Sequence, residues 1–168
     1  AIAVPVDDTT LVPSEPNNGC LGANRHARWF CDFVVKNVKN FEFLGANEQE
    51  RADNWKRGGY TLYTTLDLDI QITAQEAQWQ YVNPGETALA LGGATVSVQP
   101  GTGRVLAMAE NKIFDDTLEG GGPTTSAVNY NTSFEYGGSS GMQSGSTYKL
   151  FTLLDWLKTG KGIYERVN

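Results

Sequence analysis

An α+β fold is predicted from three features of the sequence. Apolar residues recur at helical spacing over 29–38 and again over 150–157. A β-branched and aromatic stretch covers 60–66, and two further apolar stretches flank a Pro-Gly-Thr-Gly turn at 100–103. At 168 residues the length suits one domain, or one domain with an extension, and 40% apolar content is enough for a core. The formal net charge of −6 argues against binding a nucleic-acid backbone, which needs a basic face. One histidine and two cysteines are too few for a usual zinc site, so neither a metal nor a cofactor is expected. Asp115-Asp116, the nearest approach to a carboxylate pair, reads as a loop. Nothing approaches a transmembrane run, and no signal peptide opens the chain.

In chain order, residues 1–18 hold Pro5, Pro13 and Pro16 among polar residues without periodicity, which reads as an extended linker. Cys20 and Cys31 follow, separated by a short polar segment; they could pair or remain two buried thiols. His26 reads as a surface residue of that segment. Over 29–38 the residues Trp29, Phe30, Phe33, Val34 and Val38 make one helical face. The charged run 48–57 reads as a polar helix with a solvated face, and with the preceding pieces it makes a connector over 19–57. Residues 60–66 are a strand by composition. Asp67 is placed to cap a helix over 68–82, with Ile70, Ala74, Ala77 and Tyr81 on one face, and Asn83-Pro84-Gly85 ends it. Residues 94–98 and 105–109 form a hairpin. Residues 111–145, including Gly120-Gly121-Gly122-Pro123, show little periodicity and read as a long loop of the kind that is often functional.

The chemistry concentrates after that loop. Leu150, Leu153, Leu154 and Leu157 fall at i, i+3, i+4 and i+7, the stripe of a largely buried helix. Ser146 is a good N-cap type, and Gly141 and Gly145 break any earlier helix. Ser146 and Lys149 then lie one turn apart. A serine hydroxyl is a poor nucleophile until something takes its proton, and a desolvated lysine does so once its pKa falls from about 10.4. The positive end of the helix dipole favours an alkoxide at the same place. A bare Ser-x-x-Lys is common by chance, and the same residues also read as a capping serine followed by a snorkelling lysine.

Three stretches together resemble one family. Ser146-Thr147-Tyr148-Lys149, preceded by Gly-Gly-Ser-Ser-Gly-Met-Gln-Ser-Gly, is similar to the nucleophile motif of penicillin-binding proteins. Residues 58–67 (Gly-Gly-Tyr-Thr-Leu-Tyr-Thr-Thr-Leu-Asp) resemble the strand that begins the transpeptidase region of bifunctional, class A members. Residues 94–108 resemble their first hairpin. The resemblance spans roughly 20–168, and the surroundings of Cys20 and Cys31 resemble the actinobacterial branch. It implies a connector followed, over 58–168, by the first part of a penicillin-binding-protein/β-lactamase-like transpeptidase domain. It also implies an extracytoplasmic location on the cell envelope, where Cys20 and Cys31 would pair.

The implied activity is D,D-transpeptidation of peptidoglycan stem peptides. Ser146 would attack the D-alanyl–D-alanine carbonyl while Lys149, the general base, takes its proton. An amine of a neighbouring stem would then resolve the acyl-enzyme. β-Lactams would acylate the same serine. The sequence departs from the family by lacking the later Ser-Asp-Asn and Lys-Thr-Gly motifs after Lys149. A second chain carrying the rest of the domain is therefore an expected partner, and the chain alone is expected to be inactive. The alternatives are a D,D-carboxypeptidase or β-lactamase-type acylase using the same Ser–Lys pair, and a non-catalytic cell-envelope module.

Three look-alikes carry less. Gly137-Gly138-Ser139-Ser140-Gly141 satisfies Gly-x-Ser-x-Gly, but that motif needs a strand in, a helix out and a histidine after the serine. Lys158-Thr159-Gly160 spells a penicillin-binding motif in the wrong place and reads as a basic last turn with a glycine cap. Tyr81-Val82-Asn83 matches the family's second motif only in letters, because it precedes the nucleophile.

Overall fold

The computed structural model describes residues 19–89 and 91–166. The expected linker 1–18 lies outside them. Among the described residues the architecture is mixed: four α-helices, α1 (Arg28–Lys36), α2 (Glu48–Arg57), α3 (Leu68–Tyr81) and α4 (Tyr148–Lys158), with three small sheets. β1 (Ala94–Val98) and β2 (Val105–Glu110) form the antiparallel hairpin, with Ala94 opposite Glu110, Val96 opposite Met108 and a bulge between Ser97 and Val98.

β2 is the centre of the molecule: Ala107, Met108, Ala109 and Glu110 are all buried. Met108 joins Cys20, Trp29, Phe30 and Phe114 in the core, with Leu66 and Val105 at its margin. Trp29 and Phe114 meet edge to face at 5.0 Å, a favoured aromatic geometry. Cys20 and Cys31 are bonded to each other, fastening the 3-10 turn Gly19–Gly22 to α1.

α1 ends at Lys36, two residues short of the predicted span, and α2 is capped by the Asn47 side chain, which accepts from Glu50 N. The α2 run is only partly a solvated face. Arg51 donates to the carbonyls of Gly45 and Lys39, and Asn54 to that of Leu44, so polar side chains of α2 satisfy the turn before it.

α3 starts where Asp67 accepts from Asp69 N and Ile70 N. The expected face is overturned: Ile70 and Tyr81 are exposed, whereas Gln71 and Gln75 are fully buried. The physical reason is the outer edge of β2. There the Leu106 carbonyl accepts from Asp67 N at 2.9 Å. The Gln71 amide gives a hydrogen to the Met108 carbonyl (3.0 Å) and takes one from Met108 N (2.8 Å). Gln75 does the same with Glu110, donating to its carbonyl and accepting from its N–H at 3.4 Å. Four helical residues rise about 6 Å and two strand residues about 6.6 Å, so positions 67, 71 and 75 keep step with 106, 108 and 110. The helix serves β2 as a neighbouring strand would, and an otherwise orphaned row of peptide groups is paired.

That helix displaces the predicted strand. Residues 60–66 form no helix and pair in no sheet; Thr65 Oγ1 donates to the Val105 carbonyl at 2.6 Å, next to the Asp67 contact. The supposed loop 111–145 is more ordered than expected. β3 (Ile113–Phe114) pairs in parallel with β4 (Thr125–Ser126), and β5 (Asn129–Ser133) with β6 (Gly138–Ser139). β5 is fixed by buried polar groups: Asn129 Nδ2 donates to the Trp29 carbonyl, and Glu110 Oε1 accepts from Tyr130 N and Asn131 Nδ2.

Candidate active site

From β6 the chain passes through Gly141, at φ +92°, to Gly145, at φ +49°. Both values fall in the left-handed region that glycine enters without strain. A 3-10 turn, Gly145–Thr147, then runs straight into α4. Ser144, Thr147 and Tyr148 have right-handed helical dihedrals, but Gly145 between them is left-handed, so the right-handed path is broken immediately before Ser146. Ser146 is not the cap of α4, because the N-cap position is Thr147. It sits inside the tight turn, where Tyr148 N reaches the carbonyls of both Gly145 and Ser146. Ser146 and Lys149 remain three residues apart on one continuous helical path, which places their side chains as neighbours.

Burial is where the expectation fails. Ser146 and Lys149 are exposed, and α4 buries none of its residues. Leu150 is 56% exposed, Phe151 58% and Leu154 53%. The hairpin does not pack on this helix; β2 packs against α1, and its edge is paired by α3. A lysine acts as a base on serine when it is desolvated, and an oxyanion needs preorganised donors, each worth about 100–1000-fold in rate. Among the described residues the 3-10 turn and α4 together carry a serine and an amine at the right spacing, but no covered cleft surrounds them.

The helix end follows the sequence reading. Lys158 closes α4, and Gly160 follows at φ +83° with its N–H on the Leu157 carbonyl. Lys161 Nζ lies 4.2 Å from the Trp156 ring centroid, and Trp156 Nε1 donates to the Gly162 carbonyl, so the turn after α4 folds back on the helix. Ser139 lies in the short strand β6, but no helix follows directly, and its Oγ accepts from Gly141 N. Tyr81 is exposed at the end of α3. Asn83 Oδ1 accepts from Gly85 N in the following turn.

His26 departs from the surface reading. Its side chain is only 14% exposed, with Nε2 2.7 Å from Glu76 Oε1 and Nδ1 3.1 Å from Asn24 Oδ1. That bond to His26, reinforced by Arg25 at 3.0 Å, holds the Glu76 carboxyl below its ordinary range. His26 thus links the disulfide loop to α3.

The sequence reading missed a buried acidic cluster. Glu110 is 1% exposed, and burial pushes its carboxyl up to about 8 despite the donors from Tyr130 and Asn131. Asp32, also buried, is raised by the same desolvation, opposed by Lys36 at 2.9 Å. The signal available was the polar residue ending an otherwise apolar stretch, Val-Leu-Ala-Met-Ala-Glu. These groups brace β5 and do not touch the Ser146–Lys149 pair. No cluster of three or more potential metal ligands occurs among the described residues. No family model, curated protein or solved structure matches the chain.

Proposed function

We propose that this chain supplies the nucleophile-bearing part of a peptidoglycan D,D-transpeptidase of the penicillin-binding type, acting on the extracytoplasmic face of the cell envelope. The observation that carries the reading is Ser146 in the turn that opens α4, with Lys149 one turn on and an apolar stripe beneath them. Ser146 Oγ attacks the carbonyl of a stem peptide's D-alanyl–D-alanine, and Lys149 takes its proton. Terminal D-alanine leaves, and an amine from a second stem resolves the ester.

A partner polypeptide is part of this proposal. The stripe of α4 is uncovered, and the outer edge of β1 pairs with no strand among the described residues. An open strand edge and a bare apolar helix are surfaces that proteins normally cover. A chain that covered both would desolvate Lys149 and could bring the missing oxyanion donor. The chain alone is then inactive.

The test is to supply the completing polypeptide and a stem pentapeptide with an amine acceptor. Transpeptidation predicts D-alanine release with cross-linked product, both abolished by Ser146→Ala and reduced at least about 100-fold by Lys149→Ala. D-alanine release without cross-link assigns the same pair to a carboxypeptidase. No turnover by any assembly identifies a non-catalytic envelope module.

A further inference from the structure

Glu110 ends β2 and has no part in the Ser146–Lys149 chemistry, yet it is buried to 1% exposure. Its backbone is held from two sides: β1 pairs with it through Ala94, and α3 reaches its peptide groups through Gln75. Its side chain is held by β5, where Glu110 Oε1 accepts from Tyr130 N and from Asn131 Nδ2.

The groups around that carboxyl decide what its ionisation costs. From α1, Asp32 faces it as a like charge. The cation beside them, Lys36, is already paired with Asp32 at 2.9 Å, and Asp116 adds a further negative influence on Asp32. α3 brings the amides of Gln71 and Gln75, β1 brings Ala94, and β5 brings neutral donors, so none of these supplies a counter-charge. An ionised Glu110 held in place is thus a second buried negative charge without a cation of its own, which protein interiors tolerate poorly. β2 is fixed to α1 through the core and to β1 through the hairpin ladder, whereas among the described residues β5 pairs in a sheet only with the two-residue strand β6. β5 is therefore the side by which water can reach the carboxyl.

We propose that Glu110 is a proton-operated latch: its neutral carboxyl holds β5 and β6 against β2, and loss of the proton goes with their local release. Ser133 is in register with Ser139, and the chain continues from there through Gly141 and Gly145 to Ser146. Release of the two strands therefore frees the segment that delivers Ser146. The latch itself does not rest on reading Ser146 as a nucleophile. Local openings smaller than global unfolding are common in folded proteins. The carboxyl titrates near 8 when buried and near 4.5 once released, so opening gives up one proton between those values. Opening then becomes about tenfold more favourable per pH unit in that interval and levels off above it.

The test is hydrogen exchange read by mass spectrometry between about pH 5.5 and 7.5, corrected for the intrinsic pH dependence of amide exchange. Peptides over 127–141 should lose protection about tenfold per pH unit. At each pH they should also exchange at least about tenfold faster than peptides over 105–109, which report on β2. In Glu110→Gln, which keeps the acceptor and cannot ionise, the slope over 127–141 should vanish. Equal rates in the two regions mean global unfolding in place of a latch and overturn the proposal. So does a slope below about twofold per pH unit in the unaltered chain. A slope that survives in Glu110→Gln and disappears in Asp32→Asn assigns the effect to Asp32 and overturns it as well. Should Glu110→Gln not fold, the side-chain carboxyl carbon of Glu110 is followed by NMR in the unaltered chain. A carboxyl still protonated at about pH 7 supports the latch, and one that ionises near its ordinary value of about 4.5 overturns it.

Discussion

Glu110 shows how a single side chain can couple this fold to pH. Unfolded, it titrates near 4.5; folded, near 8, so between those values the folded chain holds the extra proton. The stabilisation from the neutral carboxyl is complete below about pH 4.5 and is lost as pH rises through about 8. Asp32 is raised by burial too and contributes with the same sign, moderated by Lys36. Urea midpoints should therefore fall between about pH 5 and pH 9, and Glu110→Gln, which keeps the acceptor for Tyr130 N and Asn131, should flatten that decline. An unchanged slope in the variant would remove Glu110 from the explanation. Gly138 makes a second residue-scale prediction. A Cβ there would run into the Thr132 carbonyl oxygen and crowd that of Asn129, both backbone atoms that cannot move aside cheaply. Gly138→Ala should cost about 2 kcal/mol or more in chemical denaturation, against a few tenths for a tolerated glycine replacement. The Ser–Lys spacing was legible at this scale because it is local. The burial of Glu110 was not, since it depends on β5 arriving from twenty residues downstream.

At the scale of elements, α3 docks on β2 through amides instead of its apolar stripe. Gln71→Leu keeps the volume but orphans both the N–H and the carbonyl of Met108. A loss of about 3 kcal/mol is expected, and Gln71→Glu should be costly as well because its carboxylate would face the Met108 carbonyl. Both are checked by denaturant midpoints; a neutral Gln71→Leu would mean that packing, not pairing, holds the helix. The Cys20–Cys31 bond closes a short loop, separation 11, and its removal by Cys31→Ser should cost about 3 kcal/mol. Helix positions and the hairpin were readable from periodicity, capping and turn residues, all local signals. The predicted strand at 60–66 was not realised because its place beside β2 is taken by α3, and strand propensity says nothing about which neighbour wins. The glutamines escaped for a related reason: helical periodicity is scored on apolar residues, and this helix buries polar ones.

For the whole molecule, the distribution of burial divides the chain in two. From Gly19 through Ser139 the core, the disulfide and the amide-paired edge of β2 form one supported unit. α4 stands outside it with its leucines exposed, so Leu153→Ser and Leu154→Ser should leave the stability of the isolated chain within about 0.5 kcal/mol. The same substitutions should abolish capture of the proposed completing partner, because that surface is the one it is proposed to cover. The sequence stripe located the apolar face of α4 but predicted it buried, and among the described residues nothing buries it.

The most direct test of the central claim is intact-mass and peptide mapping after exposure to benzylpenicillin, with the completing polypeptide present. One penicilloyl adduct on the peptide containing Ser146, absent in Ser146→Ala and absent when the chain is treated alone, is the predicted result. No adduct in any assembly, or an adduct that persists in Ser146→Ala, would contradict it.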